Sequence, residues 1–387
     1  MTKGAYAGYL LEMDLTTQSA VRIPLPESYR QQSLGGKALA AQILWEYTTG
    51  REGAFSPENL LVIATAPLTG TDVLGSRRFD VASLSPKDNL PAFSNCGGDF
   101  GWNLKQAGYD ALILRGKASV PLWLEISETG ICFHGAVDLW GLGTGQCRKK
   151  LEEKLQSQGF VSLCIGPAGE NLVRFSSLVA DGHSTGRAGL GAVLGWKQLK
   201  AVVISGKPVR RSTEAVSDES CCQGCALHCI RHSRKETPVL DELGLDAIGA
   251  EDARDYASRQ GWETENLYEA IAFRNGIGDR LAEGEFSPGK KGGRRRSGSH
   301  ARIAGAFGLP LGEEATEEFC RNFLEAVSVC GQCMFTVKVL QPGVEDDLPV
   351  LKALAQATGQ SWDLKKLLAL GKYSRELEQR LKNRFQP

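Results

Sequence analysis

The spacing of apolar and polar residues divides the sequence into a strand-rich first part and a helical second part. Over residues 1–210, apolar side chains recur at every second position or in short β-branched runs, a period typical of strands. Two hairpins are predicted, one from Tyr9–Leu15 and Ala20–Leu25 and one from Val120–Ser127 and Ile131–His134. Further strands are predicted at Leu60–Ala66, Phe79–Leu84, Tyr109–Leu114, Val173–Val179 and Ala201–Ser205.

Helical spacing appears at three places in this first part. Lys37–Thr48 carries apolar residues four positions apart, and Phe100–Gln106 forms a short apolar turn. Cys147, Leu151 and Leu155 repeat the four-residue spacing before Gly159, which ends the pattern. The mixture of separate strands and few helices predicts a β-rich domain.

From residue 211 onward the apolar positions follow the helical period almost throughout. Helices are predicted at Glu269–Arg274, Glu314–Ser328, Val350–Ala357 and Trp362–Arg384. Ser361 is predicted as the N-cap of the last helix. Pro288–Ser299, rich in Gly, Lys and Arg, is predicted to be a solvated linker. The predicted fold class is α+β, with a β-rich domain over 1–210 and a helical domain over 211–387.

Composition limits the classes of partner. The 387 residues include 45 Lys plus Arg and 45 Asp plus Glu, so the net charge is zero and a nucleic-acid or membrane-surface partner is not expected. The longest apolar stretch, Leu60–Leu68, is too short to cross a bilayer, and Met1–Ala7 lacks the apolar core of a secretion signal. We therefore expect a cytoplasmic protein whose thiols are reduced.

A cysteine cluster carries the strongest chemical signal. Its three thiols, at C-x2-C-x3-C spacing, are Cys222, Cys225 and Cys229. Thiolates at this spacing can converge on one soft metal centre, and a fourth ligand must come from elsewhere, for which the Cys330–Cys333 group is available. The spacing favours an iron–sulfur cluster, while His228 and His232 keep a zinc site as an alternative.

Three glycine-rich loops form the second signal, and they account for part of the unusually high count of 45 glycines. They are Gly35–Lys37, Ser94–Gly98 and Gly186–Gly195. Glycine lets backbone N–H groups approach a phosphate closely. A dinucleotide fingerprint is disfavoured, because the last loop precedes a strand without the acidic residue that would bind a ribose. With Arg77 and Arg78 in the same part of the chain, the loops favour a polyanionic cofactor.

Together these segments resemble the aldehyde ferredoxin oxidoreductase family, whose members depend on tungsten or molybdenum. The matching stretches are Gly35–Ala41, Phe93–Phe100, Leu104–Ala111, Gly186–Gly195 with Leu199–Ala201, the three clustered cysteines, Asp241–Asp246 as the D-x-x-G-L-D motif, and Gly276–Gly284. The resemblance implies a β-rich domain that cradles two pterins, helical domains that follow it, and a [4Fe–4S] cluster. It also implies oxidation of a small aldehyde to the acid, with ferredoxin or another carrier as electron acceptor, and a homodimer or a partner subunit.

The resemblance also implies roles for individual residues. Cys333 is the implied fourth cluster ligand, because Gly331–Phe335 fits the family motif D-x-x-G-x-C-x-F. The implied contacts to pterin and phosphate groups are Arg77 or Arg78, Asn95, Gly97, Arg187, Ala188, Asp241, Leu245 and Asp246. Tungsten and molybdenum share these ligands, so the metal stays open.

The sequence departs from the family pattern in three places. Ser328 stands where the second motif has its aspartate, which the resemblance assigns to the second pterin, and a hydroxyl cannot act as a charged double acceptor. Only Ile230–Leu240 separates the cysteine cluster from D-x-x-G-L-D, so Glu236 is the one candidate for the family's glutamate near the metal. His300 is the remaining histidine of the shortened region and is predicted to be a solvated loop residue. Two hypotheses follow, a reduced-size enzyme and a non-catalytic relative that carries the cofactor or transfers electrons.

Overall fold

Two six-stranded mixed sheets form the first half of the fold. A computed structural model describes residues 5–71, 73, 75–156, 159–186, 188–206, 237–286, 294–334, 336 and 348–386, with the backbone alone for 237 and 294–298. The first sheet contains β1 (Tyr9–Asp14), β2 (Ser19–Pro24), β3 (Leu61–Ala64), β4 (Phe79–Leu84), β5 (Pro91–Cys96) and β6 (Ala111–Arg115). The second contains β7 (Leu122–Ser127), β8 (Gly130–Gly135), β9 (Phe160–Ile165), β10 (Leu178–Ala180), β11 (His183–Ser184) and β12 (Leu199–Ser205).

The strand order is β2-β1-β6-β3-β4-β5 in the first sheet and β11-β10-β9-β12-β7-β8 in the second. Each sheet contains one parallel pair, β1 with β6 and β7 with β12, and its other pairs are antiparallel. The hairpins predicted at β1–β2 and β7–β8 are confirmed, because their two-faced apolar pattern and short turns specify the register locally.

Six helices lie between the strands, and the described elements after β12 are all helices. The first six are α1 (Glu27–Gln32), α2 (Gly36–Tyr47), α3 (Phe100–Gln106), α4 (Thr144–Lys154), α5 (Pro167–Glu170) and α6 (Leu190–Trp196). The later ones are α7 (Thr237–Leu243), α8 (Ala247–Arg259), α9 (Leu267–Ala272), α10 (Ile277–Ala282), α11 (Arg294–Ala306), α12 (Glu314–Val329), α13 (Pro349–Thr358) and α14 (Leu364–Phe385). The fold is α+β, as predicted. Among the described helices, none has both the length and the apolar composition that a bilayer crossing requires.

The main core fills the space between the two sheets. Apolar residues of both sheets pack there with α3 and α6, as in the contact of Phe79 with Phe100. The opposite face of the first sheet is covered by α2 and α14, where Ile43 and Leu381 are fully buried. A separate core joins α11, α12, α13 and α14 around Phe323. Helix α2 therefore lies between the first sheet and the helices that follow in sequence.

The structure corrects three local predictions. Helix α11 begins at Arg294, inside the stretch predicted as a linker, because its apolar face, which includes Ile303, packs into the helical core. The N-cap of α14 is Asp363, whose carboxylate accepts the Lys366 N–H at 2.7 Å, and not Ser361. Residues 173–177 are not a strand, and only Leu178–Ala180 of the predicted segment pairs in a sheet.

Candidate functional site

The strands β4 and β5 present a chain of polar side chains at the first sheet. Asp80 and Asn95 are paired across the two strands. Arg78 Nε donates to Asn95 Oδ1 at 2.5 Å, and Asn95 Nδ2 donates to Asp80 Oδ1 at 3.1 Å. The amide of Asn95 is thus fixed in orientation by a donor on one side and an acceptor on the other.

Asp80 is the last residue of this hydrogen-bonded series, and one of its two carboxylate oxygens has no donor among the described residues. The residue is 2% exposed, and its Oδ2 has no hydrogen-bond partner in the part of the chain that the structure describes. Burial raises the pKa of the Asp80 carboxyl to about 7, although the hydrogen bond from Asn95 and the charge of Lys37 act in the opposite direction. A buried carboxylate oxygen without a donor is costly and marks a position where a ligand can supply one.

Arg77, the neighbour of Arg78 in sequence, is also fixed by a side-chain contact. Arg77 forms an ion pair with Asp99, which directly precedes α3. Gly97 is buried in the same loop, and Gly98 adopts φ +96°, a conformation that favours glycine. Ser94 Oγ donates to the Gly186 carbonyl oxygen at 2.8 Å, which connects this loop to the third glycine-rich loop. Two of the three predicted phosphate-binding loops therefore lie side by side.

The third loop contains Ala188, which is 8% exposed. Gly189 adopts φ +70°, and a Cβ there would lie 2.2 Å from the Arg174 carbonyl oxygen. Gly191 donates its N–H to the Ser176 carbonyl oxygen at 3.2 Å. The glycines of this loop permit close backbone contact with residues 174–176. Arg187 lies outside the described residues.

The D-x-x-G-L-D motif is docked on the same irregular segment, residues 173–177. Leu245 pairs with Ser176 in an isolated bridge, and the Asp246 N–H donates to the Phe175 carbonyl oxygen at 3.0 Å. The Ser177 N–H donates to the Gly244 carbonyl oxygen at 2.7 Å. The segment thus carries the third glycine loop and the D-x-x-G-L-D motif, which are far apart in sequence.

The two aspartates of that motif have different surroundings. Asp246 caps α8, where its Oδ2 accepts the Gly249 N–H at 2.8 Å. The Asp241 carbonyl oxygen accepts the Thr144 hydroxyl at 3.0 Å. Glu242 then reaches the start of α4, where its carboxylate accepts the backbone N–H of Gly145 at 2.7 Å. These contacts connect α7 to the second sheet through α4.

The loop after α12 carries Cys330 and Cys333 in different settings. The Cys333 N–H donates to the carbonyl oxygen of Gly75 at 2.8 Å, and Gly75 precedes Arg77 by two residues in sequence. Cys330 is fully buried, and burial raises the pKa of its thiol well above the ordinary value. Cys333 is also buried, at 6% exposed. Cys222, Cys225 and Cys229 lie outside the described residues, and the described residues alone assemble no group of three or more potential metal ligands.

A cavity of about 1060 Å³ opens between β4–β5 and the helices α2, α11, α12 and α14. Asp80 and Asn95 line it on the sheet side, and His300, Glu317 and Ser328 line it on the helix side. The prediction that His300 is a solvated loop residue is wrong. The residue lies in α11, is 6% exposed, and its Nδ1 is 2.7 Å from Glu317 Oε2.

Charged side chains on three helices close the side of this cavity. Lys37 Nζ lies 2.8 Å from Glu325 Oε1 and 2.6 Å from Glu378 Oε2. Burial favours the neutral amine, but the two carboxylates outweigh it and raise the pKa of Lys37 above its ordinary value. The ammonium group therefore joins α2 to α12 and α14 at the cavity wall.

Sequence reasoning named Asn95, Arg77 and Arg78 in this region but missed Asp80 and Lys37. One signal for Asp80 was present, since it is the single charged residue in the otherwise apolar or small strand Phe79–Leu84. Lys37 was noted only as part of a glycine loop, because its two partners are about 290 and 340 residues later in the sequence.

Comparison with known proteins agrees with this architecture. The family described as aldehyde ferredoxin oxidoreductase, N-terminal domain, matches residues 10–206. A tungsten-containing aldehyde ferredoxin oxidoreductase from Pyrococcus abyssi is 38% identical over 202 residues, which cover 52% of this chain and 33% of that protein. A WOR-like subunit of an aliphatic sulfonate oxidoreductase from Pyrococcus furiosus is 35% identical over 218 residues, covering 52% and 35% of the two chains.

The chain belongs to the aldehyde ferredoxin oxidoreductase family. It spans about a third of the length of the curated relatives that it matches. A solved structure, the active site complex BamBC of benzoyl coenzyme A reductase with 1,5-dienoyl-CoA, superposes with a TM-score of 0.78 over 99% of this chain and 90% of that one. At 20% identity, this likeness shows the shared fold alone.

Proposed function

We propose that the chain is an oxidoreductase of this family that oxidises aldehydes to acids and passes the electrons to ferredoxin. It would use a tungsten- or molybdenum-bis-pterin centre and a [4Fe–4S] cluster. One observation carries the proposal, namely that hydrogen bonds connect the segments that the resemblance assigns to the pterins. Arg78 donates to Asn95, and the second glycine loop donates to the third. The third loop and the D-x-x-G-L-D motif both hydrogen-bond to residues 173–177.

The residues fit a pterin cofactor in both charge and shape. Arg77 and Arg78 would provide cations for phosphate groups, and Gly98, with positive φ, forms part of the loop that carries Asp99, the partner of Arg77. The unpartnered Asp80 Oδ2 is an acceptor, and the amino and lactam N–H groups of a pterin ring are donors. Asn95, Gly97, Arg187, Ala188, Asp241, Leu245 and Asp246 would complete the contacts, and Cys222, Cys225, Cys229 and Cys333 would hold the cluster.

When bound, the metal centre supplies two-electron redox chemistry at the carbonyl carbon, and the cluster supplies single-electron transfer. The chain's own residues would bind the substrate and move the proton. Glu317 engages Nδ1 of His300, so Nε2 would be the ring nitrogen available to a molecule in the cavity that His300 lines. The buried Phe323 core behind α12 keeps that wall rigid.

A second candidate is a subunit that carries the cofactor or transfers electrons without its own substrate cavity. One relative is itself described as a subunit, and the structural neighbour comes from a complex. In this case a partner chain would complete the cavity between β4–β5 and α11–α14.

Metal analysis of anaerobically purified protein tests both candidates. Iron and sulfide near four per chain together with tungsten or molybdenum would support the cofactor assignment, whereas zinc without iron would contradict it. A viologen-linked aldehyde assay on the metal-replete protein then separates the two. Turnover supports the enzyme, and no turnover supports the carrier subunit.

A further inference from the structure

Ser328 and Asp80 line the same cavity from different elements. Ser328 lies in the last turn of α12, and Asp80 lies in β4 of the first sheet. Gly36 separates them. A Cβ on Gly36 would lie 2.9 Å from Asp80 Oδ2 and 3.5 Å from the Ser328 carbonyl oxygen. The carboxylate of Asp80 and the end of α12 therefore face each other across one glycine.

We propose that Asp80 supplies the pterin-binding carboxylate that the family motif carries at the position of Ser328. The inference rests on the proposed function and concerns how this chain holds its second pterin. Asp80 and Ser328 line the same cavity, so a carboxylate on either element can serve a ligand held there. The N–H group that the family's aspartate would accept is then accepted by Asp80 Oδ2.

The surroundings of Asp80 support a role in binding over a role in folding. Its Oδ1 is already used by Asn95, whereas Oδ2 has no partner in the described residues. Lys37, whose charge lowers the pKa of the Asp80 carboxyl, is paired with Glu325 and Glu378 at 2.8 and 2.6 Å. A carboxylate retained for stability would be expected to use both oxygens, because an unsatisfied buried acceptor is destabilising. Burial raises the pKa of the Asp80 carboxyl, in line with the cost of an unsatisfied acceptor.

The Ser328 hydroxyl cannot fill the same role. A hydroxyl accepts a hydrogen bond without charge, and charge-assisted hydrogen bonds are about twice as strong as neutral ones. The short side chain also lies in the last turn of α12, where helical carbonyl oxygens compete for its proton. A pterin N–H directed at this wall would therefore be satisfied by Asp80.

The test measures how long the full-length protein retains its pterin. Wild type, Asp80→Asn, Ser328→Asp and the Asp80→Asn/Ser328→Asp double variant are purified without oxygen. Released pterin is followed over time by fluorescence after oxidation to its aromatic form. Glu318→Gln, which removes an exposed carboxylate from the same cavity, is the matched control.

We expect Asp80→Asn to release pterin about tenfold faster than wild type, the size of effect that follows from losing one charge-assisted hydrogen bond. Ser328→Asp in the Asp80→Asn background should return the release rate to within about twofold of wild type, and Glu318→Gln should leave it unchanged. Thermal unfolding of the pterin-free proteins should show no loss of stability in Asp80→Asn.

Three results would overturn the inference, and they are distinct from a failure of the proposed function. Unchanged release from Asp80→Asn shows that Asp80 does not contact the pterin. If Asp80→Asn releases pterin faster and the added Ser328→Asp does not slow the release again, a carboxylate at 328 cannot replace the one at Asp80, and the two positions are not equivalent. Faster release with an equal fall in the stability of the pterin-free protein assigns Asp80 a structural role. Wild-type protein that contains no pterin at all refutes the proposed function itself.

Discussion

We predict that the ion pairs of Lys37 stabilise the packing of α2 against the later helices α12 and α14. Its ammonium group contacts two carboxylates, Glu325 at 2.8 Å and Glu378 at 2.6 Å, and all three side chains are mostly buried. At an effective dielectric constant of about 20, each contact amounts to roughly 6 kcal/mol of Coulomb attraction before desolvation is subtracted. Desolvation cancels most of that gain, so the intact group contributes little net stability.

Removing the cation alone has a much larger effect. Lys37→Met leaves Glu325 and Glu378 facing each other without the charge between them, and breaking a buried pair in this way costs about 3–5 kcal/mol. We expect the free energy of unfolding in urea to fall by about 3 kcal/mol. Lys372→Met is the matched control, because Lys372 and Glu376 form an exposed pair at 3.9 Å and should contribute less than about 0.5 kcal/mol.

The pH dependence of the Lys37→Met effect gives an independent check. The pKa of Glu378 is lowered in the folded protein by Lys37 and Lys382, although burial acts against them. The stability that ionised Glu378 contributes is therefore fully present above the ordinary glutamate pKa. It is lost as the pH falls through the lowered pKa of Glu378 in the folded protein. The pKa of Lys37 is raised, so its contribution is lost only in alkaline solution. The difference between wild type and Lys37→Met should be constant from pH 6 to 9 and shrink below pH 4. A difference under about 0.5 kcal/mol, or one that is independent of pH, would refute this reasoning.

Three further predictions concern other parts of the chain. Cys333→Ser should lose the iron and sulfide of the purified protein while Cys330→Ser keeps them, and the reverse result would show that the ligand assignment is displaced by three residues. Glu242→Gln should lower the free energy of unfolding by about 1 kcal/mol, because its carboxylate accepts N–H groups at the start of α4 at 2.7 and 3.3 Å; an unchanged urea midpoint would contradict that role. In the pterin-free protein, Asp80→Asn should raise the stability by about 1 kcal/mol at pH 8 and by less at pH 5, because the folded pKa of Asp80 is raised to about 7 and its destabilising charge is lost as the pH falls; a larger gain at pH 5 than at pH 8 would show the opposite sign.

The pattern of apolar and turn residues correctly predicted those strands and helices that depend mainly on neighbouring residues in the sequence. The β1–β2 and β7–β8 hairpins and helix α2 followed from alternation, turn residues and four-residue spacing. Helix α11 was missed because its first turn is a run of arginines after a glycine-rich stretch, and its formation depends on packing of Ile303 against the helical core. Local propensity is a weak guide where tertiary contacts decide.

The candidate site was predictable only where a motif named its residues. Asn95 and Arg78 were identified through the family resemblance, and they are in direct contact. The partners that complete the site come from other helices, such as Glu378 for Lys37, about 340 residues later, and Glu317 for His300, on the next helix. Pairings of this kind depend on the packing of α11, α12 and α14 against the sheet, which a period in the sequence does not specify.

The packing of α14 on α2 has a consequence for the order of folding. Arg384 donates to the carbonyl oxygens of Trp45 and Thr48 at 2.6 and 2.8 Å, and Tyr373 donates to Gln42 at 2.8 Å, across more than 330 residues. During synthesis, the apolar face of α2 is made early but is covered only after α14 has left the ribosome. Closing so long a loop is slow, and the uncovered face can bind other chains in the meantime. We expect refolding yields that fall with protein concentration and that recover when a peptide of residues 364–386 is supplied in excess.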